Sequence, residues 1–394
     1  MTEMIMRKDL VQWQLHVAAG HKLPVQQKDL AAVGHSIEAR VYAENPNNNF
    51  LPATGKLVHL SPPANSPSLR VESGVRSGDE VSIFYDPMIS KLCVWGRTRG
   101  EALDRLAAGL RSYQIVGPPT NIPFLLKSVN HPAFRKGRVE TGFIAQNMKD
   151  LLPLKAPGTV DPVHASFALL YLLHSERAQA FAAAARSPTP TSPWFDTSSF
   201  RLHNTSAPRA VTLLVDNYTN NEGEMAEETV SLGISPRKPG QKEDDFEFTV
   251  QGQKIQVSGK PSQEEDPRQL YATVGSRAFH ATVVPSRING RSTLHVFVDG
   301  NQSVFRLPEP KYSTGEVGAS GCVAPMAGKV VKVSTTVGAH VKKGQALAIM
   351  EAMKMEHVIR APKDGVVKGI LFNQGDFVEG GKTVVTFEEA APKK

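Results

Sequence analysis

The chain has 394 residues, a formal net charge of +7 and two cysteines, Cys93 and Cys322, far apart in sequence. No apolar run reaches the length of about 18 residues that a membrane helix needs. The Lys and Arg residues are dispersed rather than interleaved with aromatics, which argues against nucleic acid and leaves phosphate-bearing or acyl-CoA-type ligands as the anionic partners. The cysteines form neither a metal spacing nor a disulfide framework and fit a reducing intracellular compartment.

In chain order, residues 8–20 read as a helix ending at Gly20, with Leu10, Trp13, Leu15, Val17 and Ala18 on a broad apolar face. Residues 36–43 alternate as a half-buried strand does. Short strands are expected at 56–60, 68–72 and 81–85, then a helix over 99–112. Strands followed by a helix indicate an α+β unit over 1–150. Its strings Thr2-Glu3-Met4, Gly34-His35-Ser36-Ile37-Glu38-Ala39-Arg40, Phe50-Leu51-Pro52, Arg70-Val71-Glu72-Ser73, Tyr85-Asp86-Pro87-Met88-Ile89 and Lys91-Leu92 are similar to the C-terminal part of the biotin carboxylase domain of biotin-dependent carboxylases.

That resemblance implies a catalytic role for Arg70, which matches the arginine of the family's V-R-x-E-S string. A guanidinium stays charged and offers fixed donors to the ureido oxygen of biotin, where negative charge develops as the ring nitrogen attacks. The family's glycine-rich lid, ATP-grasp lysines, Mg-binding glutamates and bicarbonate-binding Gln and Glu all precede the T-E-M string, and this chain begins there. The expectation is an N-terminally truncated member. ATP, Mg and bicarbonate would serve the full-length family without binding fully here, and the isolated chain would not carboxylate biotin.

Residues 151–310 open on a Pro/Gly-rich boundary at 155–162 and a helix over 163–186 that is apolar on a wide face and must be packed. A linker at 188–199 follows. Short strands are then expected at 210–215, 229–232, 246–250, 255–257, 270–274, 278–284, 294–298 and 304–307, with turns at Gly252, Gly275 and Asp299-Gly300-Asn301. Eight such strands predict a closed or nearly closed antiparallel barrel, with charge-rich loops at 222–228 and 242–245. His164, His174, His203, His280 and His295 lack metal spacing and read as structural or surface residues. A helix and a barrel in this position resemble the BT domain of acyl-CoA carboxylase α subunits, which docks on the carboxyltransferase subunit.

Residues 311–320 read as a tether. In 321–389, Ala324-Pro325, Gly328, Val330, Gly338, Val341, Gly344 and Glu351 recur 37 residues further on as Ala361-Pro362, Gly365, Val367, Gly375, Val378, Gly381 and Glu388. Two gapless repeats predict a flattened β-barrel of related halves, with Ala352-Met353-Lys354-Met355 at their join and Lys354 displayed on a two-residue hairpin. This segment resembles the biotinyl (biotin carboxyl carrier) domain. The resemblance implies biotin on Lys354 through an amide, with Met353 and Met355 recognised by biotin protein ligase (holocarboxylase synthetase). Lipoyl domains share the architecture, but their lysine usually follows Asp.

The fold class is therefore multidomain, α+β and all-β: part of a biotin carboxylase domain, a helix with a BT-like barrel, and a biotinyl domain. The order resembles the α subunit of a biotin-dependent acyl-CoA carboxylase. It implies a C–C bond-forming ligase, a carboxyltransferase β subunit as partner in a hetero-oligomer, no nucleic acid, and the mitochondrial matrix for a eukaryotic member. No transit sequence is recognisable at Met1. Met353 to His357 and the compact middle region favour the branch acting on 3-methylcrotonyl-CoA in leucine breakdown over the propionyl-CoA, acetyl-CoA and geranyl-CoA branches. The competing reading is a non-catalytic biotinylated binding module or defective competing subunit.

Overall fold

Alternation along His35–Tyr42 sends Ile37, Ala39 and Val41 to one side of a sheet and Ser36, Glu38 and Arg40 to the other. This strand pairs antiparallel with Met88–Gly96, which pairs in turn with Leu69–Ser73 on its far edge. The core face is closed by the helix Arg99–Ser112, whose Ala102, Leu103, Leu106, Ala107 and Leu110 are buried. Thr98 caps that helix by accepting from the Glu101 N–H at 3.2 Å. Gly109 lets the helix approach, since a Cβ there would stand 2.9 Å from Leu69 Cδ1. The computed structural model describes residues 1–82, 84–152, 160–189, 209–219, 224–235, 244–262, 266–288, 291–308, 321–324, 327–352, 355–362 and 364–387.

Several expectations change in this unit. Met88–Gly96 is its central strand, although only fragments of it were recognisable as strings. The strand expected at 81–85 shrinks to Glu80–Val81, and Phe84 and Tyr85 sit exposed on the turn that follows. The helix expected at 8–20 forms over Leu10–Ala18 but buries none of its residues.

The helix Pro162–Arg186 starts as expected, with the Asp161 side chain accepting from the Val163 N–H at 2.8 Å and Pro162 in its first turn. Residues 164–170 are all buried, which no one-sided helix can achieve. They are enclosed by an antiparallel barrel of eight strands: Arg209–Thr219, Glu224–Ile234, Asp245–Val250, Gln253–Pro261, Gln269–Val274, Arg277–Ile288, Arg291–Val298 and Asn301–Arg306. The first strand meets the last at Leu214↔Arg306 and Val215↔Phe305, so the barrel closes. Phe167, Leu170, Phe248, Leu294 and Phe305 fill it. The loop expected at 222–228 is overturned from Glu224 onward, where the chain is already in a strand; of the linker expected at 188–199, residues 190–199 lie outside the described residues.

Gln251-Gly252 and Asp299-Gly300 turn two hairpins with positive φ at both residues, as type I′ turns demand. The barrel meets the first unit through Val116, Val284 and Phe297, all buried, and through Gln114 Nε2, which donates to Thr282 Oγ1 at 3.1 Å.

The C-terminal segment forms two four-stranded sheets. One runs Gly321–Val323, Thr383–Phe387, Gly365–Ile370, His340–Val341; the other runs Met355–Arg360, Ala346–Ala352, Gly328–Val333, Phe377–Val378. Moving any strand to its repeat partner converts one order into the other, so the sequence repeat is a structural two-fold. Even the backbone ties repeat: Gly338 N–H donates to Val367 O and Gly375 N–H to Val330 O, each at 2.8 Å. Gly344 to Ala361 and Gly381 to Ala324 form a second such pair, also at 2.8 Å. Among the described residues no helix is long and apolar enough to cross a membrane.

Candidate functional site

Two places carry the residues that the sequence singled out, and they belong to units with separate cores. The first is the end of the hairpin Ala346–Ala352/Met355–Arg360. Leu347, Ala348, Met350 and Ile359 anchor it from below. Its register runs Met350↔His357, Glu351↔Glu356 and Ala352↔Met355, so two residues, Met353 and Lys354, make the connection. Those two, and the side chain of Met355, lie outside the described residues. Two residues between paired strands is the length of the commonest hairpin connections.

Around the tip, Glu351 and Glu356 face each other and are exposed, and Lys329 pairs Glu351 on its other side, which moderates the like-charge contact. His357 points its Nε2 into the domain, buried and without a hydrogen-bond partner among the described residues. Burial lowers its pKa, favouring the neutral imidazole.

The second place is the open face of the three-stranded sheet. Alternation brings Ser36, Glu38 and Arg40, then Lys91, Cys93 and Trp95, then Arg70 and Glu72 onto it, with Glu38, Cys93 and Arg70 in one cross-strand row. Arg70 sits on the edge strand with its side chain 46% exposed. Its Nη1 donates to Glu3 Oε2 at 2.7 Å, its Nε donates to Glu72 Oε1 at 2.6 Å, and its Nη2 also donates to that Glu72 oxygen. Glu72 first and Glu3 second push the Arg70 pKa up.

Burial works to raise the Glu38 carboxyl, but donors from Arg40 Nε at 3.2 Å and Cys93 Sγ at 3.6 Å outweigh it and hold the pKa low. Burial pushes the Cys93 thiol up, keeping it protonated. The short helix Thr2–Met6 lies over this face; Arg7 follows it, with its guanidinium 5.3 Å from the Trp95 ring centre. Sequence reasoning assigned no role to Glu3, Glu38, Glu72 or Cys93. The alternation of Leu92 and Val94 with Lys91, Cys93 and Trp95 was the signal that could have placed Cys93 on the same face as Arg70.

Residues 38–146 match the family described as biotin carboxylase C-terminal domain, and residues 322–387 match the one described as biotin-requiring enzyme. The mitochondrial α subunit of methylcrotonoyl-CoA carboxylase from Dictyostelium discoideum is 38% identical over 386 residues, covering 97% of this chain and 53% of that protein. The corresponding mouse subunit is 37% identical over 396 residues, covering 100% of this chain and 52% of its own length. Along nearly its whole length the chain is thus similar to α subunits of biotin-dependent acyl-CoA carboxylases.

Within that family the rat mitochondrial propionyl-CoA carboxylase α chain is less similar, at 31% identity over 98% of this chain and 50% of the rat protein. The methylcrotonoyl-CoA branch favoured from Met353 to His357 is thus the better match. A solved biotin carboxylase domain dimer of the Hydrogenobacter thermophilus 2-oxoglutarate carboxylase, in complex with MgADP, ADP and bicarbonate, is 35% identical. It covers 38% of this chain and 33% of its own, with a TM-score of 0.37. The chain spans about half the length of the curated relatives it matches.

Proposed function

We propose that this chain is the biotin-carrying part of a methylcrotonoyl-CoA carboxylase α subunit, with biotin joined to Nζ of Lys354. The observation that carries the reading is the Ala352↔Met355 register, which leaves Met353 and Lys354 as the whole connection at the end of a biotin-requiring domain. When bound, biotin supplies a ring nitrogen that can be carboxylated and later give up the carboxyl group. The chain's own contribution is to carry that group: Lys354 falls between the paired strands Ala346–Ala352 and Met355–Arg360, and residues 311–320 join this segment to the barrel in sequence. Met353 and Met355 offer biotin protein ligase an apolar, polarisable pair.

Arg70 is the residue assigned to the carboxylation site, donating to the ureido oxygen. The barrel with its threaded helix is the surface for a carboxyltransferase β subunit in a hetero-oligomer. The mitochondrial names of the relatives support the matrix as the location. ATP, Mg and bicarbonate belong to the assembled activity. Residues 1–394 alone do not activate bicarbonate, and ATP cleavage stimulated by bicarbonate and free biotin in the pure chain would contradict that.

Lys354→Arg tests the attachment site, because arginine keeps charge and length but cannot form the amide. Coexpression with a biotin ligase should give a biotin adduct in the wild-type chain by intact mass and none in Lys354→Arg, at unchanged circular dichroism. Streptavidin capture of the mutant would sink the assignment. An adduct of lipoyl mass on the wild type would move the chain to the other carrier class.

A further inference from the structure

The string Thr2-Glu3-Met4 has no role in the reading above, yet Glu3 joins three elements. Its Oε1 accepts from the Leu10 N–H at 2.9 Å, tying down the start of the helix Leu10–Ala18. Its Oε2 accepts from Arg70 Nη1 at 2.7 Å, across 67 residues of sequence. On the other side of the guanidinium, Glu72 takes both Nε and Nη2. A guanidinium has five N–H donors, so these contacts leave one free on each Nη. Two carboxylates against one cation mean that Arg70 offers a ligand directed donors rather than surplus positive charge.

The two carboxylates differ in what they fix. Glu72 stands two residues along the same strand face and travels with Arg70 wherever that strand goes. Glu3 comes from a separate helix and sets the guanidinium relative to the rest of the open face. A long side chain that is half exposed would otherwise keep its rotamer freedom and give up part of its donor strength in ordering on binding. Ordering it beforehand is what a site that must meet a developing charge requires.

We infer that Glu3 is a positioning residue for Arg70, aiming its free Nη donors at the ureido oxygen of biotin. The inference rests on the reading of Arg70 as the ureido anchor. A purely structural Glu3 would only hold the helix Leu10–Ala18, and Asp9 separates the cases. Asp9 Oδ1 caps the same helix by accepting from the Gln12 N–H at 2.9 Å, while Arg70 donates its hydrogen bonds to Glu3 and Glu72.

The test uses the full chain labelled with ¹⁵N-arginine, with the Arg70 Nε–H signal assigned by its loss in Arg70→Lys and free biotin titrated to millimolar concentration. Glu3→Gln keeps an amide oxygen for the Leu10 N–H but replaces the charged acceptor of Arg70. The wild type should show a saturable Arg70 shift, and Glu3→Gln should weaken biotin by about tenfold, the worth of one charge-assisted hydrogen bond. Asp9→Ala should bind as the wild type does. Equal affinity in Glu3→Gln and wild type overturns the positioning role and leaves Arg70 standing. An equal loss in Asp9→Ala also overturns it, by routing the effect through the helix. No Arg70 response in the wild type removes the anchor and the positioning role together.

Discussion

His295 turns the barrel's geometry into a pH dependence. It lies on the strand Arg291–Val298 opposite Val284 and two residues from Phe297, where the barrel meets the first unit. Its Nδ1 accepts from Gln302 Nε2 at 3.1 Å, so Nε2 carries the proton and donates to Ser286 Oγ, also at 3.1 Å. Both nitrogens are satisfied in the neutral ring. Burial first, and His59 second, lower its pKa from 6.5 to about 4. The unfolded chain therefore binds the extra proton between about pH 6.5 and pH 4, and the folded chain does not. Stability is retained above that window and lost as pH falls through it. For these two pKa values the loss between pH 7 and pH 5 is about 2 kcal/mol, approaching roughly 3 kcal/mol below pH 4. Urea unfolding of the wild type and His295→Asn at the two pH values measures it. Groups that do not interact with His295, such as His357 in the C-terminal segment, contribute to both proteins and cancel in the difference. The wild type should lose about 2 kcal/mol more than the mutant. Equal losses would refute the account of a buried neutral imidazole.

The threaded helix makes a sharp contrast between two phenylalanines: Phe167 is fully buried in the barrel and Phe181 is 81% exposed on the same helix. Phe167→Ala should cost about 3–5 kcal/mol in urea unfolding followed by circular dichroism. Phe181→Ala should stay within about 0.5 kcal/mol, and comparable costs would mean that the helix is not inside the barrel. In the biotinyl segment, Gly338 and Gly375 have φ of 84° and 97° and nothing within 4 Å of a built Cβ. Alanine at either should cost about 1 kcal/mol from backbone strain alone. A thermal-shift difference between the two corresponding to more than about 1 kcal/mol would break the two-fold equivalence.

Much of this protein was legible from local pattern. The 37-residue repeat fixed two related halves because each spaced glycine or valine meets the same backbone requirement twice, as the matched ties of Gly338 and Gly375 show. The eight barrel strands were readable because alternation and turn residues act within a few positions of chain. The pairing of Ala352 with Met355 followed from the same logic, since a two-residue hairpin is a local object.

Contacts between distant segments were not readable. The helix over 163–186 showed a wide apolar face, but that residues 164–170 are enclosed on every side depends on eight strands closing around them. Arg70 was recognisable by its string, yet its clamp is not a sequence property, because Glu3 reaches it from 67 residues away. The row Glu38, Cys93 and Arg70 exists only once Met88–Gly96 is placed between two other strands. Sequence by itself determined which elements form. The tertiary structure decided which charges surround Arg70 and which histidines stay neutral, because electrostatic environment is set by neighbours in space and by burial, and neither is encoded in any short window of the chain.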